Sequence, residues 1–219
     1  MAKAVENKIT IYHGSEKILK EPEFGKGEIN NDYGQGFYCT KNKGLAGEWA
    51  VLWTGQDGYI NEYSFDYTGL NVLYLNQMPV ENWIAVLLNN RKIYSLNDYE
   101  LRIDVFLQKY LIDVAEYDVI EGWRADDAFF SYITDFVADT LSLENLKLAL
   151  KFGDLGNQVC LISQKAFDTI KFITHYPAPA SRFLKSAQDR DKSAKQQYMN
   201  MRRRAVGTRI SNLVGEENL

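Results

Sequence analysis

Two short strands separated by a glycine-rich loop constrain this chain more than any other feature. Ile9-Thr10-Ile11-Tyr12 is β-branched and aromatic, as a strand requires, and His13-Gly14-Ser15 ends it in a turn. Asp32-Tyr33-Gly34-Gln35-Gly36 then feeds Phe37-Tyr38-Cys39-Thr40, a second strand carrying an aromatic residue. The loop between them, from Gly25 to Gly36, lets backbone approach a ligand closely, because glycine has no Cβ to obstruct it.

The rest of the chain alternates short strands with helices. Ile18 to Pro22 reads as a weak extended segment. Lys43 to Trp53 reads as a helix, with Ala46, Trp49, Ala50 and Trp53 at three- and four-residue steps. Tyr59 to Asp66 and Val72 to Leu75 read as strands, and Pro79 to Asn90 as a helix. Ser95 gives an N-cap signal for a helix running to about Leu111. Tyr117 to Gly122 is a strand, followed by helices over Asp126 to Asp139 and Ser142 to Phe152. Gln158 to Ile162 is a buried strand, Gln164 to Thr169 a short helix, and Ile170 to Tyr176 a last strand. Pro177-Ala178-Pro179-Ala180 marks a boundary. It divides the chain into 1–176 and a polar, basic extension over 177–219, helical from Ser181 to about Leu213.

A chain of 219 residues with 46% hydrophobic and 13% aromatic content has material for a real core. Its net charge of −4 argues against a body that binds nucleic acid by charge alone. The basic stretch from Arg182 to Arg209 stands apart, with Lys185, Arg190, Lys192 and Lys195 ahead of Arg202-Arg203-Arg204. It offers contact with nucleic-acid phosphates or an acidic partner, or else a solvated amphipathic helix, the blander reading. Cys39 and Cys160 fall in expected strands and read as packed, reduced thiols of a cytoplasmic protein. No apolar run is long enough for a membrane span, and Met1 to Glu6 lacks the apolar core of a secretion signal. No His, Cys and carboxylate cluster has metal-ligand spacing, so no metal is expected.

The two opening segments and the helix Leu45-Ala46-Gly47-Glu48-Trp49-Ala50 resemble the domain family of unknown function numbered 3990. Its members share YHGS, then DFGxGFYxT, then an Ala-x-x-Trp-Ala helix. Tyr33 departs from that pattern, standing where phenylalanine is usual. The resemblance extends to a strand ending Tyr-Asp-x-Ile-x-Gly with Ala-Asp-Asp behind it, here Tyr117 to Gly122 and Ala125-Asp126-Asp127. The same segments also resemble the opening half of an ADP-ribosyltransferase site, which grips NAD.

That resemblance implies an α+β fold over Ile9 to Tyr176: a split mixed or antiparallel sheet core, drawn as two packed sheets with NAD in the cleft between them. Helical inserts over Pro79–Leu111 and Asp126–Phe152 would wall the site. His13 would hydrogen-bond the adenosine ribose and the nicotinamide amide, since neutral imidazole both donates and accepts. Tyr38 would stack on nicotinamide. Gln158 stands at the third catalytic position, where glutamate is usual, and an amide binds ribose hydroxyls but is no general base. Gly14, Ser15, Gly36 and Asp126 would complete the NAD contacts. Asp126 and Asp127 offer carboxylates to touch ribose or orient an acceptor, but capping of the helix that follows is the favoured reading for at least one of them. Cys39 is disfavoured as a nucleophile.

The implied reaction is transfer of ADP-ribose from NAD, the co-substrate, to a macromolecular acceptor with release of nicotinamide. NAD hydrolysis and a catalytically inactive NAD- or partner-binding module are the alternatives. Relatives look like bacterial effectors or toxin components paired with small neutralising proteins, a context implied by the resemblance alone.

Overall fold

A computed structural model describes residues 7–91, 98–125, 127–152, 156–202 and 207–215. Its strands are β1 Lys8–Ser15, β2 Phe37–Thr40, β3 Gly58–Asp66, β4 Val72–Tyr74, β5 Val119–Trp123, β6 Asn157–Leu161 and β7 Ile170–Ala178. Its helices are α1 Lys43–Leu52, α2 Val80–Asn90, α3 Glu100–Tyr110, α4 Asp127–Val137, α5 Leu143–Ala149, α6 Gln164–Phe167, α7 Ala180–Arg202 and α8 Ile210–Val214. The class is α+β, as expected. The strands make one seven-stranded sheet in the order β4-β5-β6-β2-β1-β3-β7, antiparallel throughout except for the parallel β4–β5 pair.

The expectation of two packed sheets is corrected by that order. The two halves are hydrogen-bonded edge to edge, not stacked. Their join is narrow, because β1 and β2 pair only at Tyr12↔Thr40, whereas β1 and β3 pair along all of β1 from Lys8↔Asp66 to Ser15↔Tyr59.

Local chemistry explains most boundaries. Asn42 caps α1, its side chain accepting from the Gly44 and Leu45 amides, and Ser142 caps α5 by accepting from the Asn145 amide. β3 is buried on both faces: Asn61, Tyr63 and Phe65 on one, and Ile60 beneath α1 on the other. Ile18 to Pro22 forms no strand. The Leu19 amide donates to the Asn61 side chain at 2.9 Å, so this segment is a loop fastened to β3 by a side chain. The basic extension is helical, in two pieces. α7 ends at Arg202 and α8 begins at Ile210, after Gly207 at φ 140° and an extended Arg209.

Two helical layers cover the sheet's two halves. Trp83, Ile84 and Leu87 of α2 and Ile133 and Phe136 of α4 pack with Leu146 of α5 and with Ile120 and Cys160 of β5 and β6. Ala46, Ala50 and Val51 of α1 pack with Ile60 of β3 and with Phe183 of α7. A third cluster joins Ile11, Cys39, Tyr63, Phe65, Val159 and Leu161 to Phe167 of α6. Burial pushes the Cys39 thiol well above the usual cysteine range, as expected of a packed thiol and not of a nucleophile.

Helix α7 is fastened to α1. Phe183 sits where a Cβ on Gly47 would come within 2.4 Å of its ring. Buried Glu48 pairs with Arg190 and accepts from the Ser186 hydroxyl at 3.0 Å. Phe183, Ala187, Ala194 and Tyr198 form the buried face of α7, which leaves Lys185 and Lys192 on the other faces. α1 lies equally close on β1, where a Cβ on Gly14 would stand 1.9 Å from the Ala46 carbonyl oxygen and 2.7 Å from the Ala50 nitrogen.

Those obstacles are backbone atoms, which no rotamer change moves. Gly14→Ala is therefore expected to cost about 2–3 kcal/mol or more by overpacking. Urea denaturation followed by circular dichroism checks this, and an unchanged midpoint would contradict the α1–β1 packing described above.

Candidate functional site

The site grows from the narrow join between β1 and β2. Beyond Tyr12↔Thr40 the ladder stops, and a side chain takes over: His13 Nδ1 lies 2.7 Å from the Tyr38 carbonyl oxygen. A carbonyl only accepts, so Nδ1 carries the proton and Nε2 of the neutral ring is left as an acceptor. The ring leans on Phe37, with centroids 4.5 Å apart. Burial holds the imidazole below the usual histidine range, with the bond to Tyr38 pulling the other way.

Tyr38 is held as firmly. Its hydroxyl donates to the Gly34 carbonyl at 2.7 Å and accepts from the Tyr33 amide at 2.9 Å. This needs the backbone of Gly34 at φ 78°, a left-handed conformation that suits glycine. Gly36 has a packing reason of its own, since a Cβ there would meet Cys160 Sγ at 2.5 Å and the Leu161 carbonyl at 2.8 Å. The Tyr38 phenol is driven well above its ordinary pKa, chiefly by burial.

Gln158 enters from β6, opposite Thr40 of β2 and Gly122 of β5. It is buried, and its amide nitrogen donates to Asp32 Oδ2 at 2.8 Å and, at 3.4 Å, to the Trp123 carbonyl. Asp32 is the hub. Its Oδ1 accepts from Arg91 Nε and Nη2 at 3.0 and 2.8 Å, and its Oδ2 also accepts from the Ala125 amide at 3.0 Å. Tyr33, the departure from the family pattern, is accommodated here. Its hydroxyl donates to the Trp123 carbonyl at 2.6 Å and accepts from Trp83 Nε1 at 3.1 Å.

His13, Phe37, Tyr38 and Gln158 border one cavity of about 840 Å³, together with Asp32, Arg91 and Ala125. His13, Gly14, Ser15, Gly36, Tyr38 and Gln158 line it, so the described candidates converge. Ser15 lines it with its hydroxyl engaged, donating to the Lys17 carbonyl at 2.7 Å and accepting from Asn61 Nδ2 at 2.9 Å, which closes the turn. Asp126 lies outside the described residues, as do Ser95, Arg203 and Arg204. The walls differ from expectation. α1 supplies Trp49, the loop from 16 to 36 supplies Lys26 and Asn31, and α7 supplies Leu184, Ala187, Gln188 and Lys195. Of the expected helical inserts only Arg91, at the end of α2, is among the described lining residues; buried residues of α2, α4 and α5 pack instead into the core cluster with Ile120 and Cys160.

Several cavity residues were given no role from sequence. Asp32 heads the glycine loop, which is a usable signal, because a buried carboxylate needs partners. Arg91 is 59 positions away and carries no local signature. The Arg124 guanidinium lies 4.5 Å from the Trp49 ring, and Trp49 Nε1 is buried beside the cavity without a hydrogen-bond partner among the described residues. No group of three or more His, Cys, Asp or Glu that could hold a metal ion occurs among the described residues. Nor is any helix there long and apolar enough to cross a membrane.

A family model described as "Protein of unknown function (DUF3990)" matches residues 9–172. No curated protein and no solved structure matches the chain.

The lowered pKa of His13 has a pH consequence. Below the ordinary histidine value the unfolded chain binds a proton that the folded ring resists, so stability falls as pH drops from neutrality through that window. His13→Asn removes this contribution. Urea denaturation at pH 7.5 and 5.5 should show a smaller pH loss for the variant than for the native chain. Equal losses would contradict a buried neutral ring.

Proposed function

The chain belongs to the DUF3990 family, and we propose that it cleaves NAD at the nicotinamide–ribose bond and passes ADP-ribose to a macromolecular acceptor. The observation that carries this reading is convergence. A histidine, a tyrosine and a glutamine from the adjacent strands β1, β2 and β6 face one cavity, in the chain order that the ADP-ribosyltransferase resemblance calls for. Its volume of about 840 Å³ suits a ligand of dinucleotide size.

Each group has a chemical part. The Nε2 lone pair of His13 accepts from a ribose hydroxyl or the carboxamide of nicotinamide. The Tyr38 ring, immobilised through its hydroxyl, gives nicotinamide a flat surface, a contact worth about 0.5–1.5 kcal/mol beyond burial. Gln158 holds ribose hydroxyls, and the Arg124 guanidinium against Trp49 brings positive charge to a wall that would meet the pyrophosphate. Bond opening gives an oxocarbenium-like ribose, which is captured by the acceptor's nucleophile. Fixed groups that need no rearrangement favour such a step, because orientation and electrostatic complementarity dominate it. The resemblance also implies a small neutralising partner protein.

The test is nicotinamide release from NAD by the purified protein, with and without lysate and labelled NAD. Tyr38→Ala should lower release at least about tenfold, and Tyr38→Phe, which keeps the ring but loses the hydroxyl that immobilises it, should lower it less. Label on a macromolecule marks transfer, and free ADP-ribose marks hydrolysis. Binding of NAD without release would reduce the protein to a binding module. Absence of binding would contradict the reading.

A further inference from the structure

Gln158 raises a question of polarity. An amide has a donating end and an accepting end, and the end that faces the cavity decides what the third site position can bind. The two ends are alike in shape, so partners must decide. The end turned into the protein lies 2.8 Å from Asp32 Oδ2 and 3.4 Å from the Trp123 carbonyl, both acceptors only. An amide oxygen there would face a carboxylate and a carbonyl with no proton between them. The inward end is therefore NH2, and the carbonyl oxygen, which has no hydrogen-bond partner among the described residues, is the end left for the cavity that Gln158 lines.

Asp32 has no freedom to reverse this. Arg91 takes its Oδ1 with two donors, and the Ala125 amide shares Oδ2 with Gln158. Every neighbour hydrogen-bonded to the carboxylate is a donor, so it stays an acceptor on all sides. The arrangement also accounts for glutamine where glutamate is usual. A carboxylate at 158 would put two carboxylates at the distance now spanned by a hydrogen bond, with like charges opposed and the donor lost.

We infer that Asp32 is a positioning residue: it turns the Gln158 amide so that only its carbonyl oxygen faces the cavity, making the third site position a fixed acceptor for a hydroxyl of the bound ligand. Taking that hydroxyl to belong to the ribose of NAD rests on the function proposed above; the orientation of the amide does not.

A charge swap separates polarity from structure. In Asp32→Asn the two Arg91 donors hold the one remaining oxygen, so the new NH2 faces residue 158, and the Gln158 side chain can satisfy it only by turning its oxygen inward and its NH2 toward the cavity. Asp32→Asn with Gln158→Glu returns an oxygen to the cavity and still lets residue 32 donate to residue 158. Both variants lose the Ala125 bond and the charge beside Arg91, so they share the structural cost. NAD affinity measured by calorimetry should fall at least about tenfold in D32N and in Q158E, and recover to within about threefold of the native value in D32N/Q158E. A double variant no better than D32N would overturn the positioning role.

A second readout needs neither NAD nor a variant. In ¹⁵N-edited spectra of the native protein, the Gln158 side-chain NH2 should exchange slowly with water, because it is the buried end. Rapid exchange would overturn the inference. Slow exchange in a protein that binds no NAD would leave the amide orientation standing and overturn the NAD reading instead.

Discussion

The hydrogen bond from His13 Nδ1 to the Tyr38 carbonyl holds the two halves of the sheet at the place where their ladder runs out. One register pair, Tyr12↔Thr40, joins β1 to β2; past it both strands continue without pairing, and the imidazole bridges the gap between them. Three consequences follow from that one bond. It fixes which ring nitrogen keeps its proton, it leaves Nε2 as an acceptor, and it keeps His13 and Tyr38 at the same opening. A regular ladder here would fill the gap with backbone hydrogen bonds and leave less room for a ligand.

The opening is bordered by groups that are each fastened from behind. Tyr38 is held by the Gly34 carbonyl and the Tyr33 amide, Gln158 by Asp32, and Asp32 by Arg91 and the Ala125 amide. Glycine at positions 14 and 36 lets α1 and β6 approach this frame at distances no side chain would allow. The far wall is α7, bound to α1 through Glu48 and Arg190, which puts part of a basic extension to use as structure.

What was legible in the sequence was local. Strands β1 and β2, helix α1 and the strand carrying Gln158 all announce themselves by pattern, and their ranges in the fold follow the reading closely. The α+β class came with the family resemblance that these same segments carry. The illegible parts depend on contacts distant in sequence. Nothing near Asp32 points to Arg91, and nothing in α7 shows that its Phe183 and Arg190 would seek Gly47 and Glu48. The single sheet was missed because side-by-side and stacked halves need the same strands and differ only in one register pair. Ile18 to Pro22 was misread because a β-like composition was satisfied by the Asn61 side chain, not by a neighbouring strand.

The central claim is that NAD occupies the opening between β1 and β2. A crystal structure of the protein with a non-cleavable NAD analogue tests it most directly. The account predicts the nicotinamide ring against Tyr38, a ribose hydroxyl donating to the Gln158 carbonyl oxygen, and His13 Nε2 accepting from the ligand. An analogue bound elsewhere, or none bound at saturating concentration, would contradict it.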